Sequence, residues 1–117
     1  MIYLDTSVLL AELFVEERVP KPALWRHSLV SSRLLQYETW TRVHARGLAT
    51  SHGERARELL GRVSMLELAP EVLGRALEPF PVPVRTLDAL HLAAIDFLRA
   101  RGEVVRLATF DDRMRAA

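Results

Sequence analysis

Four acidic residues stand where carboxylates could work together: Asp5, Glu38, Asp88 and Asp111. Asp5 ends the apolar run Met1-Ile2-Tyr3-Leu4 and is followed by two hydroxyls, Thr6 and Ser7. Glu38 sits in a helical stretch beside Leu34 and Leu35. Asp88 opens a long apolar segment, in one row with Leu92 and Ile95, and Asp111 follows the last apolar run. Carboxylates gathered in one crevice repel each other and titrate upward unless a cation neutralises them. With no cysteine and no clustered histidine in the chain, an all-oxygen donor set points to Mg²⁺ or Mn²⁺. Such an ion lowers the pKa of a bound water and stabilises the charge of an in-line phosphoryl displacement.

Each acid also has a plainer explanation. Asp5 and Asp88 suit the N-terminus of a helix, where the macrodipole favours an acid. Glu38 has the i,i+4 spacing of an exposed pair with Arg42, and Asp111 or Asp112 could cap a terminal helix. His91, one turn after Asp88, could approach a substrate phosphate or be a hydrogen-bonded helix residue. His27, His44 and His52 lack metal-ligand spacing. Thr6, Ser7 and Thr109 could orient Asp5 from behind or serve as caps. Trp25, Tyr37 and Trp40 could stack on bases, although packing accounts for them as well.

The elements that must position these acids follow from periodicity and breakers. The uninterrupted apolar run at 1–4 predicts a strand buried on both faces of a parallel sheet, and an acid at its carboxyl end lies where open α/β sheets keep their ligand crevice. Thr6 or Ser7 is expected to cap a helix striped by Leu9, Leu10, Leu13 and Phe14, ended by Pro20 and Pro22. Residues 23–27 suit one or two helical turns, and Ser28-Leu29-Val30 a second strand. Helices are expected over 33–46, stopped by Gly47, and from Gly53 to Leu60, capped from Ser51. A third strand is expected at 65–68 and a helix at 71–77. The segment 79–83, with three prolines, can be neither helix nor central strand. Thr86 is expected to cap the most buried helix, Leu87 to Arg101, closed by Gly102, with a last strand at 104–108 and a helical turn from Asp111. Strands alternating with helices predict an α/β fold with a parallel sheet of four strands, or five, and right-handed crossovers.

At 117 residues the chain is one domain, 1–117, with 50% apolar and 26% charged residues, ordinary for a soluble globular protein. Without cysteine, disulfides, thiol nucleophiles and Cys-based zinc sites are excluded. No apolar run approaches the roughly 18 residues of a membrane span, and the N-terminus shows no basic region of a secretory signal, so a cytoplasmic protein is expected. The net charge is +1; the sixteen basic residues include one lysine, Lys21, and are otherwise arginine. Arginine suits forked recognition of phosphate, but a balanced charge permits nucleic-acid binding without arguing for it.

The segments Met-Ile-Tyr-Leu-Asp-Thr-Ser at 1–7, Ser-Ser-Arg-Leu-Leu-Gln-Tyr-Glu at 31–38, Arg-Thr-Leu-Asp-Ala-Leu-His-Leu-Ala-Ala at 85–94 and Leu-Ala-Thr-Phe-Asp-Asp-Arg-Met at 107–114 resemble the four acidic motifs of PIN domains, and most closely those of VapC-type toxin ribonucleases from toxin–antitoxin pairs. The resemblance spans nearly the whole chain. It implies a three-layer α/β/α domain whose acids bind Mg²⁺ or Mn²⁺ and hydrolyse RNA phosphodiesters. Asp5 and Asp88 match the firmest metal ligands, and Glu38 and Asp111 complete the set directly or through water. The Asp111-Asp112 pair departs from the usual single acid followed by a basic residue, which leaves the fourth position open between the two. The chain also stops sooner than the family pattern, so an edge strand is expected to be missing. The resemblance further implies a homodimer and a cognate antitoxin, whose groove Leu9, Leu10, Leu13, Phe14, Trp25 and Trp40 could line unless they pack in the core.

Three activities compete on these residues. The first is a metal-dependent endoribonuclease toxin. The second is a PIN-fold nuclease of RNA maturation or DNA cleavage, and the third a non-catalytic PIN-like binding module. A phosphoacceptor receiver domain is excluded because it needs a lysine after the last strand, and a dinucleotide-binding domain because no Gly-x-Gly-x-x-Gly follows Leu4.

Overall fold

The computed structural model describes all 117 residues. Its frame is a parallel sheet of four short strands, β1 (Ile2–Leu4), β2 (Leu29–Ser32), β3 (Ser64–Leu66) and β4 (Arg106–Ala108), in the order β3-β2-β1-β4. Ile2 pairs with Leu29 on one side and with Arg106 on the other, so β1 is central. Strand alternation divides the apolar residues between two cores. Ile2, Leu4 and Leu29 point into a core shared with helices α1 (Thr6–Phe14), α2 (Arg33–Ala45) and α3 (Ala49–Leu60). Tyr3 and Val30 point into a second core with α4 (Pro70–Ala76), α5 (Thr86–Ala100) and the short α6 (Asp112–Ala116). The result is three layers, α/β/α. Fully buried leucines such as Leu4, Leu9 and Leu35 each contribute about 1.5–3 kcal/mol on leaving water.

Connectivity sets where a ligand crevice can open. The chain steps outward from β1 to β2 to β3, then returns through α4 and α5 to place β4 on the far side of β1. The strand order therefore reverses beside β1, and the ends of β1 and β4 face the switch point where open sheets bind ligands.

Several expectations are met with small shifts of boundary. A 3₁₀ turn occupies Pro22–Arg26, Ser32 caps α2 by accepting from the Leu34 amide at 3.3 Å, and Gly47 and Gly102 close α2 and α5 with φ of +65° and +87°. Residues 79–85 form neither helix nor strand, as the prolines require. The sheet has four strands. Other expectations are corrected. The helix expected from Gly53 starts at Ala49, and Ser51, instead of capping it, lies within its first turn and donates back to the Leu48 carbonyl. Thr6 and Thr86 are the first helical residues of α1 and α5, preceded by Asp5 and Arg85 as the boundary residues, so neither threonine is a cap. Leu9, Leu10 and Leu13 are buried, while Phe14, Trp25 and Trp40 pack half-buried against the first core. No helix is long and apolar enough to cross a membrane.

Candidate active site

The buried strand β1 delivers Asp5 to the carboxyl edge of the sheet, where its amide donates to the Ala108 carbonyl of β4 at 3.0 Å. Although Asp5 occupies the boundary position of α1, its side chain makes no capping bond. Its Oδ2 instead accepts from Ser7 Oγ at 2.6 Å and from Thr109 Oγ1 at 2.8 Å. Those hydroxyls are themselves anchored: the Phe110 amide donates to Ser7 Oγ at 3.1 Å and the Asp111 amide to Thr109 Oγ1 at 3.0 Å. The loop after β4 is thus stitched to the start of α1. Asp5 is 4% exposed, with Oδ2 engaged and Oδ1 standing 3.9 Å from His91 Nε2.

Glu38 arrives from α2. The i,i+4 pairing with Arg42 does not form; instead Glu38 Oε1 accepts from Thr6 Oγ1 at 2.8 Å and meets His91 Nε2 at 2.7 Å. A carboxylate only accepts hydrogen bonds, so this network assigns the hydrogen to Nε2. On the other side of the ring, Tyr3 Oη lies 2.7 Å from His91 Nδ1. Burial pushes the Tyr3 phenol up to about 12, so it stays protonated and donates to Nδ1. Tyr3 of β1, His91 of α5 and Glu38 of α2 therefore form one chain across the edge of the sheet, with His91 fully buried. His91 is the hydrogen-bonded helix residue of the two readings its position allows, and it is committed to a site carboxylate.

Asp88 lies in the first turn of α5 and Asp111 follows β4. Burial holds the Asp88 carboxyl above its ordinary value, Asp111 and Asp5 push it further up, and Arg85 opposes them. Arg85 reaches both acids, Nε at 3.4 Å from Asp88 Oδ2 and Nη2 at 3.6 Å from Asp111 Oδ2. Asp111 also caps α6 by accepting from the Arg113 amide at 2.8 Å, so capping and a place in the site coexist. Asp112 points away: its side chain is 91% exposed and pairs with Arg115. Of the two adjacent acids, Asp111 faces the crevice.

Asp5, Glu38, Asp88 and Asp111 line one cavity of about 130 Å³ with Thr6, Ser7, Leu10, Arg42 and Arg85. Four distant parts of the sequence meet there because β1, α2, α5 and the loop after β4 all end or turn at the same edge. The donor set is entirely oxygen, and the crevice holds Asp88 upward first by burial and then by the charges of Asp111 and Asp5. No three acidic or histidine side chains are arranged to hold an ion as they stand. An all-oxygen donor set of this kind would suit a hard cation such as Mg²⁺, which is held by one or two carboxylates and otherwise by water. The Tyr3–His91–Glu38 chain and the double contact of Arg85 went unforeseen. The spacing of Arg85 three residues before Asp88 is the one sequence signal for the latter.

The PIN domain family model matches residues 2–117. Two curated proteins of Mycobacterium tuberculosis are similar over almost the whole chain. "Ribonuclease VapC47" of strain CDC 1551 / Oshkosh is 34% identical, with 97% of this chain and 87% of the relative covered. "Ribonuclease VapC46" of strain ATCC 25618 / H37Rv is 35% identical, with 99% and 88% covered. No solved structure matches significantly. The chain belongs to the PIN domain family and is homologous along its length to VapC ribonucleases.

Proposed function

We propose that this protein is a metal-dependent endoribonuclease serving as the toxin of a toxin–antitoxin pair. The observation that carries the reading is the meeting of Asp5, Glu38, Asp88 and Asp111 in one cavity at the switch point of the sheet; the homology to ribonucleases supports it. Asp5 and Asp88 would hold Mg²⁺ or Mn²⁺, and Glu38 and Asp111 would complete the site directly or through water. When bound, the ion supplies an activated water and charge stabilisation for phosphodiester hydrolysis.

The chain's own residues do the rest. Ser7 and Thr109 fix Oδ2 of Asp5 and so aim Oδ1 into the cavity. Thr6 and His91 hold Oε1 of Glu38, which keeps the second oxygen available to orient a water. This support on rigid elements is what a site needs to hold its geometry. The products carry a 5′-phosphate and a 3′-hydroxyl. A cognate antitoxin restrains the enzyme, and the working form is a homodimer in the cytoplasm. Asp5→Asn and Asp88→Asn are each expected to abolish Mg²⁺-dependent RNA cleavage by a protein that stays folded by circular dichroism. Full activity in both variants overturns the assignment. Comparing tRNA, ribosomal RNA and DNA as substrates separates a toxin from a nuclease of RNA maturation or DNA cleavage.

A further inference from the structure

A second, larger cleft of about 590 Å³ lies against the acidic cavity, between one face of α2 and the start of α5. The two share Glu38, Arg42, Arg85 and Asp88, so the cleft leads directly to the acids. Its size is within the roughly 300–1,000 Å³ typical of ligand clefts. Two side chains there are unexplained by packing or pairing. Tyr37 is 68% exposed, although Trp25 and Trp40 pack against the core. Arg42 is exposed and, with Glu38 turned toward Thr6 and His91, makes no salt bridge or side-chain hydrogen bond.

We propose that this cleft is a nucleotide subsite for single-stranded RNA, in which Arg42 holds a backbone phosphate beside the acidic cavity and Tyr37 stacks a base. The inference rests on the ribonuclease reading and adds where the strand lies. Helical spacing puts Tyr37 and Thr41 in one row and Glu38 and Arg42 in the next, so aromatic ring and guanidinium flank the path to the acids. An unpaired guanidinium is suited to forked contact with a phosphate. A flat exposed ring accepts any base, which confers affinity with little sequence preference. Thr41, Thr86, Glu38, Asp88 and a second arginine, Arg85, border the rest of the cleft beside Leu34 and Leu87, a mixed lining that offers apolar surface to a base and two guanidiniums to phosphate.

The test uses a short, end-labelled single-stranded RNA of mixed sequence and the full chain, with binding read by fluorescence anisotropy in EDTA and cleavage read in Mg²⁺. Arg42→Gln and Tyr37→Ala are each expected to weaken binding about tenfold, and Tyr37→Phe to restore it. Arg42→Gln also lowers the salt slope by about 0.7, the value for one lost phosphate contact on a single strand. Arg26→Gln, at the opposite edge of the sheet, leaves binding unchanged. In turnover the loss falls on KM rather than kcat. Wild-type affinity and KM in both Arg42→Gln and Tyr37→Ala, from a protein that cleaves RNA, overturn the subsite. The same result with weakened capture of a protein inhibitor reassigns the cleft to that partner. A wild-type protein that binds RNA through these two residues but cleaves none upholds the subsite and refutes the nuclease.

Discussion

Replacing Tyr3 by Phe removes one oxygen and little else. The phenol donates to Nδ1 of the fully buried His91 at 2.7 Å, and the variant leaves that nitrogen without a donor. An unsatisfied buried group costs about 1–3 kcal/mol, and the ring itself still fills its space, so no cavity cost is added. For a domain of this size that cost corresponds to a fall of very roughly 4–12 °C in the thermal midpoint. The pH dependence makes the prediction sharper. The Tyr3 phenol is held near 12 in the fold, up from 10.0, so the folded state keeps a proton that the unfolded chain gives up. The stability this group supports is whole below pH 10 and is lost as pH rises toward 12, by about 2–3 kcal/mol at 1.36 kcal/mol per unit. Urea melts of both proteins from pH 8 to pH 12 measure the difference directly. The wild type is expected to be the more stable at pH 8, with the gap shrinking steadily above pH 10. A gap below about 0.5 kcal/mol at pH 8 refutes the bond, and a gap constant through pH 12 refutes the burial-raised phenol.

Asp88→Asn removes a carboxylate that burial and its acidic neighbours hold above its ordinary value. A raised carboxyl weakens the fold as pH climbs through its titration, so in EDTA at neutral pH the variant is expected to melt higher than the wild type, a scanning-calorimetry result that a fall in midpoint contradicts. Adding Mn²⁺ at about 100 times its Kd is expected to stabilise the wild type by about 2.7 kcal/mol and to leave Asp88→Asn nearly unmoved. Arg85→Gln is expected to cost no more than about 1 kcal/mol, because the guanidinium is 74% exposed. It is also expected to tighten Mn²⁺ binding in calorimetry by removing the competing cation from Asp88 and Asp111; weaker binding contradicts this.

Much of the frame was legible because it rests on local signals. The apolar run at 2–4, the breakers Gly47 and Gly102 and the prolines at 79–83 act where they stand, and each marks its boundary in the structure. Asp5 and Asp111 were legible together because strand ends in a parallel sheet share an edge, whereas Glu38 and Asp88 reach that edge from helices α2 and α5. What local reasoning misassigned were hydroxyls and a helix start. Thr6 and Ser7 have the composition of caps, yet Thr6 donates to Glu38, distant in sequence, and Ser7 donates back to Asp5 while accepting from the distant Phe110 amide. Gly53 argues for a boundary by propensity, but it lies inside α3, where a Cβ would be 3.8 Å from the Trp40 ring; tertiary packing overrides the propensity. Arg85 carries a local signal only toward Asp88, three residues on; its contact with Asp111 forms only when the fold brings the start of α5 beside the loop after β4.

Anomalous diffraction from crystals grown with Mn²⁺ reveals whether the four acids form a cation site. One strong peak is expected within coordinating distance of Asp5 and Asp88, with Arg85 withdrawn from Asp88. An RNA-cleaving protein whose manganese lies elsewhere, or that binds none, contradicts it.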